Sequence, residues 1–142
     1  MADFFTKKTS MADDIKRFQK TIMIAEDNPK TRLVLEKTLS AAGYKVVSVA
    51  NGKEARDYLE NSMPNLLILD MKMPEIHGSE VIRFLIKKKH TVPVLVYTGY
   101  PEMREGVTVI SYKYCDYLAK PASRDEILAK VKEMTSTDSS QS

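Results

Sequence analysis

The stretch "NLLILDMKMPEIHG" (residues 65–78) runs four aliphatic residues, Leu66 to Leu69, straight into Asp70 and then into a proline-containing loop. An apolar run without alternation is the pattern of a strand covered on both faces, as in a parallel sheet layered between helices. A carboxylate at the end of such a strand is costly to keep charged unless something uses it.

Outward from this strand, strand-like and helix-like segments alternate. "TIMIA" (21–25) reads as a first strand, followed by Asn28 as a helix N-cap and Pro29 at the first helical position. Leu33, Leu35, Leu39 and Ala42 follow at near-helical spacing, and Gly43 supplies the stop. "KVVSVA" (45–50) is a second strand, and Asn51 caps the helix "GKEARDYLENS". After the third strand, "SEVIRFLIKKK" (79–89) is a helix with Ser79 as its expected cap, Glu80 early and three lysines in its last turn. That arrangement complements the helix dipole, so the basic cluster is given a structural role. "VPVLVYT" (92–98) and "YCDYLA" (114–119) are the fourth and fifth strands, and "SRDEILAKVKEM" (123–134) is a closing helix with a capping box at Ser123 and Glu126. The segment 101–113, "PEMREGVTVISYK", starts a helix well but continues it poorly through Gly106 and the β-branched run, so a short or distorted helix is expected. Five β–α units imply an α/β domain with a parallel sheet and helices on both faces, because parallel strands need crossover connections.

Bulk properties narrow the class. The 142 residues suffice for one domain with a core, and 43% hydrophobic with 29% charged residues is ordinary globular composition. A net charge of +3, with its lysines spread along the chain, makes no electrostatic case for nucleic acid. The single Cys115 excludes an internal disulfide and fits a reducing, cytoplasmic setting, where it reads as a plain strand residue. No apolar run approaches the ~18 residues of a membrane span, and the N-terminus lacks the apolar core of a secretory signal. Residues 1–20 read as an extension with a short helix near "MADDIKRFQK", 21–134 as the domain, and 135–142 as a disordered polar tail; Met1 and Met11 are both possible starts.

In open α/β sheets the ligand site lies outside the carboxyl ends of the strands. There the first strand delivers Glu26 and Asp27, the third Asp70, the fourth Thr98 and the fifth Lys120-Pro121. Crowded carboxylates must be neutralised, in part by the lysine and in part by a hard divalent cation, for which Mg²⁺ suits a site with few protein ligands. Lys120 beside Asp70 would keep that carboxylate ionised and oriented as a nucleophile, and Thr98 would hydrogen-bond a phosphoryl group placed on it. Taken singly, each residue has a plainer reading: polar turn, strand end, surface lysine. Their joint placement at successive strand ends is what carries weight.

This set, with "MKMP" behind Asp70, resembles the receiver domain of two-component response regulators over about residues 21–134. The resemblance implies a flavodoxin-like sheet of order 2-1-3-4-5, with Asp70 accepting a phosphoryl group from a histidine kinase or histidine phosphotransfer protein. It implies Mg²⁺ bound by Asp27 and Asp70, by the Lys72 backbone carbonyl, and by Glu26 through water. Thr98 and Lys120 would hold the phosphoryl oxygens, Lys120 and Pro121 would be joined by a cis peptide, and Tyr117 matches the aromatic switch position. With little chain after residue 134, a stand-alone receiver is expected, acting on a downstream protein, with phosphorylation-dependent homodimerisation open.

Three places depart from the usual pattern. Lys72 and Tyr100 flank the phosphoryl position, where a lysine would screen or pair with the acyl phosphate and a tyrosine would block an in-line water; a slowly decaying phosphoryl state is expected. Lys113-Tyr114 replaces the small pair usual before the fifth strand, which signals either an unusual partner surface or family drift. His77 stands in the loop after Asp70 and is read as solvent-exposed without function. Two competing readings remain: a scaffold indifferent to phosphate, and a Mg²⁺-dependent phosphohydrolase. The second is weakened by Lys72, where aspartyl-nucleophile hydrolases usually carry a second acid. An enzyme acting on an external substrate is not expected.

Overall fold

The computed structural model describes residues 20–99 and 111–136. The N-terminal helix near 11–20, the helix of 101–113, Tyr100 and the polar tail fall wholly or mostly outside them. Strands β1 (Thr21–Ala25), β2 (Lys45–Val49), β3 (Leu66–Leu69), β4 (Val94–Thr98) and β5 (Cys115–Ala119) alternate with helices α1 (Pro29–Ala41), α2 (Gly52–Asn61) and α3 (Gly78–Lys87), and α4 (Arg124–Thr135) closes the domain. All pairings are parallel and the sheet order is β2-β1-β3-β4-β5, as expected.

The unbroken apolar strands serve two cores at once, because successive side chains point to opposite faces. Met23, Ala25, Leu67, Leu69, Val94 and Val96 face α2 and α3, meeting Ala55, Leu59, Val81, Ile82 and Leu85. Ile22, Ile24, Leu66, Ile68, Leu95 and Tyr97 face α1 and α4, meeting Leu35, Leu39, Ile127 and Val131. Each such large aliphatic side chain contributes roughly 1.5–3 kcal/mol when fully buried. Among the described residues no helix is long and apolar enough to cross a membrane.

Local capping explains most helix boundaries. The Asn28 side chain accepts from the amides of Lys30 and Thr31, and Gly43 takes a positive φ just beyond α1. Asn51 caps α2 through the Glu54 amide, and the Ser123–Glu126 capping box opens α4.

Four expectations are corrected. Leu33 is 48% exposed, next to the more exposed Val34, because only Leu35 and Leu39 lie on the stripe of α1 that meets the sheet. Helix α3 is capped by His77, not Ser79, since the chain already turns into the helix at Gly78. It ends at Lys87, so Lys88 is its C-cap and Lys89 lies beyond the helix at φ 56, in the left-handed region. Thr135 is the last residue of α4 and not the first of a tail, its hydroxyl donating to the Val131 carbonyl.

Candidate functional site

Strand register brings the reactive residues together. Ala25 and Leu69 are partners in the β1–β3 ladder, and the Asp70 amide donates to the Ala25 carbonyl at 3.0 Å, so Glu26 and Asp70 emerge side by side. Across β4 and β5, Thr98 pairs with Ala119, and the Lys120 amide donates to the Thr98 carbonyl at 3.0 Å. Glu26, Asp27 and Asp70 each present a carboxylate oxygen within 4.8 Å of the others. Together with Lys72, Gly99 and Lys120 they line an open cleft of about 760 Å³ that also reaches Asn28, Pro29 and Thr31 at the start of α1.

The electrostatics of this cleft are unbalanced. Glu26 and Asp70 are 2% and 6% exposed, and Asp27 is the most exposed of the three acids. Lys120 Nζ donates to Glu26 Oε1 at 2.6 Å and to Asp70 Oδ2 at 3.3 Å, one ammonium shared between two buried carboxylates. Burial, and then the charge of Asp70, hold the Glu26 carboxyl above its ordinary pKa despite the bond from Lys120. Burial alone would lower the pKa of Lys120, but the Glu26 bond and the Asp70 charge outweigh it and raise it. Three carboxylates, all hard oxygen donors, meeting one lysine form a donor set suited to a divalent cation of the Mg²⁺ or Ca²⁺ type.

Several residues that shape the site were missed by the sequence reading. Asn28 does a second job, its amide donating to Glu26 Oε2 at 3.1 Å. The Arg32 guanidinium donates to the Glu26 carbonyl at 2.8 Å and to the Asp27 carbonyl at 3.4 Å. Tyr97 places its ring 5.5 Å from Lys120 Nζ while its hydroxyl accepts from the Ala122 amide, so it supports the lysine from below. Gly78 lets the loop after Asp70 fold back: its amide donates to the Met71 carbonyl, and a Cβ there would stand 2.6 Å from the Asp70 carbonyl oxygen. Gly52 is likewise pressed against the Ile76 carbonyl. A glycine at each position was visible in the sequence, but its neighbour was not.

The remaining expected residues fall as follows. Thr98 is 1% exposed at the end of β4. Lys72 is exposed at the mouth of the cleft, its amide donating to Asp70 Oδ1 at 3.4 Å. The Lys120–Pro121 peptide is cis. Tyr117 is half-buried on β5, packed against the core that α2 and α3 cover. Tyr100 lies outside the described residues. His77, expected to be exposed and idle, is instead half-buried as the α3 cap, with Nδ1 3.2 Å from Ser79 Oγ. Cys115 is a half-buried strand residue whose thiol burial pushes up to about 12, leaving it protonated at neutral pH.

Residues 22–132 match the family model described as the response regulator receiver domain. A probable transcriptional regulator, ycf27, of Porphyridium aerugineum is 33% identical over 111 residues, which are 78% of this chain and 46% of that protein. The chain therefore spans about half the length of such a relative. Among solved structures, response regulator protein TrrA from Thermotoga maritima, in complex with Mg²⁺-BeF, is 32% identical with a TM-score of 0.74, over 82% of this chain and 99% of that one. A CheY-like receiver domain protein from Methanospirillum hungatei JF-1 is 25% identical with a TM-score of 0.78, over 87% and 99%.

Proposed function

The chain belongs to the response regulator receiver family, and from that premise we propose that Asp70 is its phosphoacceptor and the acidic cleft its Mg²⁺ site. One observation carries this reading: three carboxylates and a lysine from three different strand ends converge within one cleft, with Asp70 held by Lys120 at 3.3 Å. An Asp70 carboxylate oxygen attacks phosphorus, the bond from phosphorus to the donor's imidazole nitrogen breaks, and its electron pair leaves with the imidazole. The product is an acyl phosphate on Asp70 and a dephosphorylated donor histidine. Glu26, Asp27, Asp70 and the Lys72 carbonyl are the groups that would hold Mg²⁺, and the ion would supply charge neutralisation for the phosphoryl oxygens. Lys120 and Thr98 bind those oxygens once the group has transferred. Inward movement of Thr98 then draws Tyr117 from its half-buried position, which changes the surface offered to a downstream protein or to a second copy of the chain.

The Lys72 side chain, exposed at the cleft mouth, is proposed to shield the acyl phosphate, and Tyr100 to share that task. This is a signalling switch and not an enzyme with an external substrate. The deciding measurement is the NMR or tyrosine-fluorescence response to beryllofluoride with Mg²⁺. A stoichiometric response that is lost in Asp70→Ala and absent without Mg²⁺ is expected; a folded protein that stays silent would sink the reading. Autodephosphorylation should speed up in Lys72→Ala or Tyr100→Ala, and unchanged decay in both would remove the shielding role.

A further inference from the structure

Arg32 lies in the first turns of α1, half-buried, and its backbone amide belongs to the helix through the Asn28 carbonyl. Its side chain does something less expected for a cation beside three acids. It donates from Nη1 to the main-chain carbonyls of Glu26 and Asp27, at 2.8 and 3.4 Å. The Asn28 amide meanwhile donates to Glu26 Oε2 at 3.1 Å. The turn that carries both acids is therefore held by its backbone from the helix side and by one carboxylate oxygen from within. Two carbonyls fixed toward the guanidinium leave the carboxylates directed to the cleft they share with Asp70.

We propose that Arg32 is a positioning residue for the cation site: by bracing the Glu26–Asp27 turn, it sets the two carboxylates at the separation from Asp70 that a divalent ion requires. This rests on the Mg²⁺ reading above. Groups that orient metal ligands without touching the ion are worth about 10- to 100-fold in metal affinity. Reach and orientation matter, because both bonds come from the single Nη1, one bond further along the side chain than a lysine ammonium extends and held in the plane of a rigid guanidinium.

A positive charge near a cation site has the opposite effect, repelling the ion, so charge and geometry are separable. Mg²⁺ affinity measured by calorimetry on wild type, Arg32→Lys and Arg32→Met reads one against the other. A brace predicts that both variants bind Mg²⁺ about tenfold more weakly or worse. The extent of phosphorylation by acetyl phosphate should recover in both at saturating Mg²⁺. Wild-type affinity in Arg32→Lys with tighter binding in Arg32→Met would show a charge effect only and overturn the proposal. Hydrogen exchange in the metal-free proteins gives an independent readout. The Asn28 amide should exchange faster in both variants while the Asp70 amide, held in the sheet, does not change. Unaltered Asn28 exchange in Arg32→Met would also overturn it. If wild type binds no Mg²⁺, the proposed function fails, while the exchange experiment still decides whether the brace exists.

Discussion

Glu26 is a glutamate buried to 2% exposure between one lysine and another carboxylate, and burial, with the charge of Asp70, raises its pKa further than that lysine lowers it. A carboxyl whose folded pKa exceeds its unfolded value adds stability at pH below about 4.5, and that contribution is lost as pH rises through the folded value. Lys120, also raised, adds stability below 10.5 that is lost only as pH climbs through its higher folded value. As pH rises above about 4.5 the metal-free protein therefore loses the benefit of a neutral Glu26 while keeping that of a charged Lys120. Replacing Glu26 by Gln should relieve the repulsion with Asp70 and leave Lys120 its second partner. The expected result is a metal-free protein more stable at pH 7 by on the order of 1 kcal/mol, or roughly 3–5 °C in Tm, with the fall in Tm as pH rises from 4.5 toward 7 made shallower. Thermal melts across that range check this; a lower Tm for Glu26→Gln at pH 7 would mean the Lys120 bond outweighs the repulsion. That these acids share a rim was legible in the sequence, because each directly follows an apolar strand. Which acid Lys120 prefers was not, since it depends on glutamate's extra methylene reaching 2.6 Å where the Asp70 carboxylate stops at 3.3 Å.

At the scale of elements, the readable boundaries were those made by neighbours in sequence. Asn28, Asn51 and Ser123 cap their helices with amides two or three residues on, and such bonds require no knowledge of the fold. Helix α3 was misread because its start is set from outside. Gly78 must lie flat against the Asp70 carbonyl, so the helix begins there and the cap falls to His77. Gly78→Ala should accordingly cost about 1–3 kcal/mol through overpacking and displace the loop that carries Lys72. The measurable pair is a lowered denaturation midpoint and a reduced rate of labelling by acetyl phosphate. Loss of stability with normal labelling would detach Gly78 from the site. The other end of α3 was misread for the converse reason: a run of lysines conceals where the helix stops. Lys89 is held at φ 56, a conformation that costs an L-residue roughly 1–2 kcal/mol and glycine almost nothing. Allowing for the greater freedom of glycine in the unfolded chain, Lys89→Gly should stabilise by ~0.5–1 kcal/mol, read as a higher midpoint with unchanged slope.

Across the whole molecule, the two cores and the reactive rim are separate jobs of the same strands. The interiors of β1, β3 and β4 are almost wholly apolar and buried, and every acid of the site follows the point where the apolar run ends. The fold was legible for that reason, while the braces of the site, Arg32 and Gly78, were not, because each acts on a loop whose path is a product of folding. The same separation makes a quantitative prediction. A ligand that binds only the folded rim stabilises the whole cooperative unit, by about 2.7 kcal/mol at a free concentration 100 times its Kd. Mg²⁺ should therefore raise Tm in a saturable manner, by roughly 8–13 °C at that ratio, and the rise should vanish in Asp70→Ala. Helix α3 leaves the rim at Gly78 and runs ten residues, about 15 Å, to the end that Lys89 follows. Energies at sites so separated add, so the stabilisation by Lys89→Gly and that by Mg²⁺ should sum to within ~0.5 kcal/mol. A Tm indifferent to Mg²⁺ would remove the cation from the cleft. Strong non-additivity with Lys89→Gly would show instead that α3 transmits the state of the rim along its length.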